Sequence, residues 1–143
     1  MSEIVASCQM CHRWDTEVDL RIVAFEHSYL TLNRDQFFPG YCLLFARQHV
    51  TELFHLDLAV RQGMLEEVTR TAAALARLFR PDKINYELLG NMVPHIHWHL
   101  VPRMMTDPLW PRPIWSEPHV EKLLEPDEYL RRCEQIRQTL EIQ

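Results

Sequence analysis

Three histidines stand at alternate positions in the run His95-Ile96-His97-Trp98-His99-Leu100-Val101. In an extended strand successive side chains alternate faces, and same-face neighbours lie about 6.5–7 Å apart. His95, His97 and His99 therefore share one polar side, and Ile96, Trp98 and Leu100 form an apolar one. Two chemistries suit such a row. Same-face imidazoles can converge on a metal ion; alternatively, a neutral imidazole can attack phosphorus while an acceptor holds its other ring nitrogen and fixes the tautomer. Barrel-type metal hydrolases need well over 143 residues, and the segment GNMVPHIHWHLVPRMM lacks the glycine punctuation and nearby Glu of a cupin. Nearer the N-terminus, Cys8 and Cys11 form C-x-x-C. By itself that spacing fits a redox pair, half of a zinc site or two unrelated thiols.

The elements that would carry these residues can be read from periodicity. Residues 20–33 are rich in β-branched and aromatic types with a polar break at Glu26-His27-Ser28, which predicts two strands joined by a tight turn. Phe38-Pro39-Gly40 punctuates before YCLLFA, a short apolar run expected to be a buried strand. Thr51 is a candidate cap for a first turn and Asp57 for a long helix to about Phe79, with Leu58, Leu65, Val68, Ala72, Leu75 and Leu78 or Phe79 on its apolar face and Pro81 closing it. Residues 83–89 and 95–101 read as two more strands, the second bracketed by Pro94 and Pro102. A last helix is expected from about Pro126 to Leu140 on the face Leu130, Cys133, Ile136, Arg137 and Leu140. Strands around one central and one terminal helix indicate an antiparallel α+β domain.

Composition removes several function classes. The three glycines, Gly40, Gly63 and Gly90, are at least 23 residues apart. A dinucleotide-binding turn, a P-loop or a kinase glycine loop needs clustered glycines, so phosphate chemistry here must rest on side chains or an isolated helix N-terminus. A net charge of −5 argues against binding nucleic acid through bulk charge. No apolar run approaches the roughly 18 residues of a membrane span, and MSEIVASCQM has neither a basic region nor an apolar signal core, so the expectation is a cytoplasmic protein. Seven of the nine prolines follow residue 90, and residues 107–118, DPLWPRPIWSEP, read as an extended loop. The 143 residues are expected to form one domain, with 104–143 as the Pro-rich loop and terminal helix.

His-φ-His-φ-His-φ-φ, with the leading turn and trailing Pro-Arg of residues 90–103, resembles the active-site strand of the histidine triad family of nucleotidyl hydrolases and transferases. LNRDQFFPGYCLLFARQHV, residues 32–50, resembles that family's strand, Pro-Gly turn, strand and histidine. The overall cast, covering roughly residues 8–103, is closer to the diadenosine polyphosphate hydrolase branch than to the uridylyltransferases, and the DPLWPRPIW tail looks like a bacterial subgroup. The resemblance implies an antiparallel sheet of about five strands with one long helix and a C-terminal helix. It also implies a homodimer acting on a purine nucleotide at its α-phosphate, on dinucleoside polyphosphates or other adenylylated compounds. His97 would be the nucleophile and His99 the phosphate-binding partner, with Asn33 near the ribose and Asn91 on the phosphate side. The alternative is a nucleotide-binding or partner-binding protein of the same fold with little turnover.

Some histidine triad proteins bind zinc through an N-terminal C-x-x-C, a histidine after the Pro-Gly strand and the first triad histidine. Carried over, these are Cys8, Cys11, His49 and His95, a structural zinc site in which His95 fixes the strand and moves no protons. Two positions depart from the family pattern. Tyr41 follows Gly40 where a histidine is common, and either supplies a hydroxyl or packs; Met92 replaces a small hydroxyl residue. Cys42 and Cys133 read as core thiols, His12, His27 and His55 as at least partly exposed, His119 as a helix-surface residue and Arg103 as a surface arginine. Trp110 and Trp115 either cap a base pocket or anchor the tail.

Overall fold

The computed structural model describes residues 4–142. The order of elements is α1 (Gln9–Thr16), β1 (Arg21–Ala24), β2 (Ser28–Leu32), β3 (Cys42–Ala46), α2 (Leu58–Phe79), β4 (Lys83–Glu87), β5 (His97–Arg103) and α3 (Pro126–Glu141). The strands form one antiparallel sheet in the order β1-β2-β3-β5-β4, the α+β architecture that the pattern implies. No described helix is long and apolar enough to cross a membrane.

β3 lies at the centre of the sheet, and all five of its residues are buried. That explains its unbroken apolar run: alternation disappears when both faces of a strand are covered. Cys42, Leu44 and Ala46 join Leu30, Leu32, Ile96 and Leu100 in the main core with buried residues of α2 and α3. Leu43 and Phe45 point the other way. Leu43 packs with Phe38, Tyr41, Val101, Leu109 and Ile114, and Phe45 with Cys8 and Met10. One sheet face is thus closed by the two long helices, and the other is covered in part by α1 and the loop of residues 107–118.

Several local expectations need correction. Leu58 and Leu65 are exposed, while α2 buries the expected Val68, Ala72 and Leu75 together with Met64 and Thr71, a stripe rotated slightly from the predicted one. On α3 Leu130 is exposed and Tyr129 is buried, because the Tyr129 hydroxyl donates to the Arg34 carbonyl and ties the helix to the strand layer. Asp57 occupies the α2 N-cap without a side-chain capping bond, and Thr51 precedes a short 3-10 turn at Leu53–His55 whose N-cap is Glu52. α1 was not expected: it is eight residues long and buries only Met10, so it carries little periodic signal. β5 begins at His97 and runs through Pro102. β3 reaches only as far as Cys42, opposite Leu100, so Pro102 pairs with β4 alone and its missing N–H is tolerated as at a sheet edge.

Arg103 is not a surface residue. It is 1% exposed, its Nε and Nη2 donate to the two Asp107 carboxylate oxygens at 2.7 and 3.1 Å, Nη1 donates to Asn85 Oδ1 at 2.9 Å, and the guanidinium lies over the Phe38 and Trp110 rings. All three guanidinium nitrogens donate inside the protein, which anchors the start of the 107–118 loop. Arg103→Ala leaves Asp107 uncompensated and is expected to cost about 3–5 kcal/mol in a chemical unfolding titration.

Candidate active site and metal centre

Cys8 caps α1 and Cys11 lies in its first turn, so the two thiols fall on one side of the helix. His49 follows β3. His95 precedes β5 and is held against the end of β3 by backbone bonds from Ala46 N–H to Ile96 O and from Ile96 N–H to Val50 O. The ligand atoms of Cys8, Cys11, His49 and His95 all lie within 4.8 Å of one another. Their separations are 3.5 Å for Cys8 Sγ to His95 Nδ1, 3.3 Å for Cys11 Sγ to His49 Nδ1, 3.6 Å for Cys11 Sγ to His95 Nδ1, and 3.2 Å between the two Nδ1 atoms.

A four-coordinate ion with metal–sulfur bonds of about 2.3 Å and metal–nitrogen bonds of about 2.0–2.1 Å has sulfur–nitrogen edges near 3.6 Å and a nitrogen–nitrogen edge near 3.3 Å. The four separations match those edges, and the side chains form a potential metal site. Their protonation also fits. His95 Nε2–H donates to the Ala46 carbonyl at 2.7 Å, so its Nδ1 lone pair faces the cluster, the usual arrangement for a ligating histidine. Burial lowers the His95 pKa and keeps the ring neutral. Burial raises the Cys11 thiol, so the thiolate required of a ligand needs a cation beside it.

His97 and His99 sit side by side on the face opposite the main core, ring centroids 4.9 Å apart and each less than 10% exposed. Their second nitrogens are held differently. His97 Nδ1–H donates to the His95 carbonyl at 2.6 Å, so in the neutral ring the lone pair is on Nε2. His99 Nδ1 lies 2.6 Å from the Tyr41 hydroxyl. Tyr41 is buried, and burial raises its phenol so that it remains protonated. With the hydroxyl donating to Nδ1, the neutral His99 ring carries its proton on Nε2 as a donor. One strand therefore offers an unprotonated nitrogen and an N–H next to each other, set by two hydrogen bonds from opposite directions.

Burial, reinforced by His97, lowers the His99 pKa from 6.5 to about 4. As pH falls below 6.5, this imidazole takes up a proton in the unfolded chain and not in the folded one, so folding stability is lost with acid across that window. The full contribution is about 3 kcal/mol. Urea unfolding of wild type between pH 7 and 4 is expected to show this acid slope, and His99→Asn to reduce it.

Two clefts meet at His97. One, of about 190 Å³, is lined by Leu89, Gly90, Asn91, Met92, His97, His99 and Trp115. The other, of about 160 Å³, is lined by residues 51–54 and 88–90 with His95, Ile96 and His97. Asn91 is thus beside the two histidines. Asn33 lines neither cleft: it stands at the end of β2, its backbone N–H donates to Tyr41 O, and its side-chain amide donates to Asp35 O at 3.0 Å. Cys42 and Cys133 are buried core thiols, while His12 and His27 are half-buried and His55 exposed. His119 lies in a loop rather than on a helix, and Nε2 meets Asp35 Oδ2 at 2.8 Å. Trp110 supports the Arg103 guanidinium, and Trp115 lines the cleft.

Sequence reasoning missed Glu87. It is the β4 residue opposite His99, and its Oε1 accepts the Trp115 Nε1–H at 2.8 Å. Burial raises its carboxyl. Only the register of β4 on β5 reveals the pairing, and that register is not written in either segment alone.

Solved structures share this arrangement of elements. A histidine triad protein from Bradyrhizobium japonicum is 26% identical with a TM-score of 0.78, the alignment covering 88% of this chain and 94% of that one. A histidine triad protein from Marinobacter aquaeolei is 25% identical with a TM-score of 0.79, covering 90% and 93%. A Zn-bound histidine triad family protein from Mycobacterium smegmatis is 23% identical with a TM-score of 0.69, covering 95% and 94%. No curated protein matches the chain. Residues 16–106 match the HIT domain, a span that takes in every strand and the histidines of β5, and the chain belongs to that family.

Proposed function

We propose that the protein is a nucleotidyl hydrolase or transferase that cleaves a purine nucleotide derivative at its α-phosphate through His97. The observation that carries this reading is the pair of opposed tautomers on β5. The His97 Nε2 lone pair attacks the α-phosphorus; a nitrogen–phosphorus bond forms as the bond to the leaving group breaks, and the leaving group departs with that electron pair and takes up a proton. His99 Nε2–H donates to a phosphoryl oxygen, where negative charge is spread in the transition state. Water then attacks the nucleotidyl-histidine and gives up to solvent the proton that balances the one the leaving group took from solvent, the nitrogen–phosphorus bond returns its electrons to Nε2, and the nucleotide is released. Asn91 contacts the phosphate side and Asn33 the ribose side. Substrates are dinucleoside polyphosphates, phosphoramidates or other adenylylated compounds.

Two thiolates and two imidazoles in a closed tetrahedron suit zinc, and the Zn-bound relative from Mycobacterium smegmatis supports that identity. Cys8, Cys11, His49 and His95 would hold the zinc, which would supply a structural cross-link between α1 and the start of β5. The His95 carbonyl that orients His97 belongs to one of these ligands, which ties the order of the metal centre to the aim of the nucleophile. The homodimer implied by the family resemblance would form on this scaffold, whose sheet edges are β1 and β4.

The test is incubation of wild type and His97→Ala with a panel of adenylylated substrates, reading nucleotide release and a trapped covalent adduct. Release and adduct in wild type alone are expected. Equal rates in both proteins would remove His97 as nucleophile, and binding without turnover in wild type would favour a nucleotide-binding protein, a reading for which Met92, 94% exposed at the cleft, is the motivating departure.

A further inference from the structure

The 107–118 loop does more than cross the surface. The Arg103–Asp107 pair fixes its start, and Leu109 and Ile114 are buried with Phe38, Tyr41, Leu43 and Val101. The next residue, Trp115, is held just as firmly: its indole N–H donates to Glu87, and its ring meets His99 edge-on at a centroid distance of 5.2 Å. Yet Trp115 remains 54% exposed on the wall of the cleft beside His97, flanked by Leu89 and Met92, which are 53% and 94% exposed. An indole fixed by its N–H with much of its ring surface left to solvent is a preorganised stacking platform, since its ordering entropy has already been lost in folding.

The charge around His97 is equally informative. Neither cleft is lined by a lysine or arginine; the charged lining residue is Glu52. Arg103 is consumed by Asp107 and Asn85. Glu87 accepts the Trp115 indole N–H through Oε1, and its second oxygen, Oε2, is buried without a hydrogen-bond partner. A polyphosphate chain carries several negative charges that need cations or an N–H nest to replace water; beyond the one phosphoryl group facing His97, His99 and Asn91, the cleft offers Leu89, Met92 and the Trp115 indole. Across the sheet, Asn33 lies on the β2 side of the histidines and Trp115 on the β4 side. The proposed function puts the ribose toward Asn33, and on that placement the group displaced from phosphorus lies toward Trp115.

We propose that Trp115, positioned by Glu87, determines leaving-group specificity, and that the cleft it completes takes a planar, apolar and uncharged leaving group in preference to a polyphosphate. This inference rests on the reading of His97 as the nucleophile and narrows it to one class of substrate: nucleoside 5′-phosphoryl compounds joined to an aromatic amine or alcohol.

Three substrates sharing the adenosine 5′-phosphoryl group test it: the anilide phosphoramidate, the unsubstituted phosphoramidate and diadenosine tetraphosphate. Wild type is expected to favour the anilide over each of the others in kcat/KM by about tenfold or more, the scale of one aromatic stack. Trp115→Ala is expected to lower the anilide-to-unsubstituted ratio by about tenfold, and Trp115→Phe, which keeps an aromatic face but loses the N–H bond to Glu87, to retain only part of it, with near-UV circular dichroism confirming that both variants are folded. A ratio unchanged in Trp115→Ala, or a wild-type preference for diadenosine tetraphosphate, would overturn the proposal while leaving His97 as nucleophile. Absence of nucleotide release and adduct from all three substrates in wild type would instead overturn the reading of the site itself, and this inference with it.

Discussion

Replacing His97 with alanine is expected to abolish the nucleotidyl adduct and to lower the rate of nucleotide release by at least roughly 10³-fold, with little change in fold. The magnitude follows from what the residue supplies. His99 and the cleft remain and keep some transition-state stabilisation, but no other described side chain presents an unprotonated nitrogen beside them, and groups that act as a unit lose most of their effect when one is removed. The fold should tolerate the change because His97 belongs to none of the three hydrophobic clusters and its one hydrogen bond is to a carbonyl. Intact-mass measurement during single turnover would show the adduct in wild type and none in the variant, and thermal unfolding would show whether the loss is chemical rather than structural. His97→Asn, which retains a polar group, should be as inactive as His97→Ala; a partly active asparagine variant would argue that the site only positions substrate for water.

The second large effect is expected on removing the metal or one of its thiolates. Cys8→Ser and Cys11→Ser each break the donor set that joins α1 to the segments following β3 and preceding β5. A ligand bound only by the folded state, at a free concentration about a thousandfold above its dissociation constant, stabilises by about 4 kcal/mol. For a chain of 143 residues that corresponds to a melting temperature lower by roughly 10 °C. Metal analysis of protein purified without chelator should give about one zinc per chain, and the chelated wild type should melt like the two variants. Activity should decline gradually rather than vanish, because the site contributes through the placement of the His95 carbonyl, on which His97 Nδ1–H rests at 2.6 Å. Full activity and unchanged melting in Cys11→Ser would remove the structural role.

The two experiments separate two functions that share one short segment. His95 turns its Nδ1 to the thiols, while His97 and His99 line the cleft with Trp115. Metal loss therefore changes stability first, and nucleophile loss changes chemistry alone.

Much of this was legible in the sequence because it depends on local periodicity. Alternating histidines backed by Ile96, Trp98 and Leu100 put one polar face and one core face on the same strand, and the structure keeps that division. The apolar run of β3 announced a strand buried on both sides. Isolated glycines excluded a backbone phosphate cradle, and Gly40 is where the chain needs one: its φ is +88°, and a Cβ there would come within 2.7 Å of the Phe79 ring. The helical stripes were less secure. Leu58, Leu65 and Leu130 have core-type side chains on exposed turns, and burial follows where a helix lies on the sheet rather than which residues are apolar.

Composition and spacing by themselves determined the fold class, the strand that carries alternate histidines and the exclusion of glycine-loop nucleotide binding, since each depends on residue type and on periods of two or 3.6. The resemblance to a known family added the set Cys8, Cys11, His49 and His95, whose convergence within 4.8 Å only the folded chain displays. Tertiary structure alone decided the rest. Tyr41, either a hydroxyl donor or a packing residue from sequence, is placed 2.6 Å from His99 Nδ1 by the pairing of β3 with β5. Arg103 is turned inward by Asp107 and Asn85, and Glu87 is brought to His99 and Trp115 by the register of β4 on β5. The physical reason is common to all three: a side chain's protonation, charge and direction are set by partners distant in sequence, and a single strand does not specify which neighbour will lie beside it.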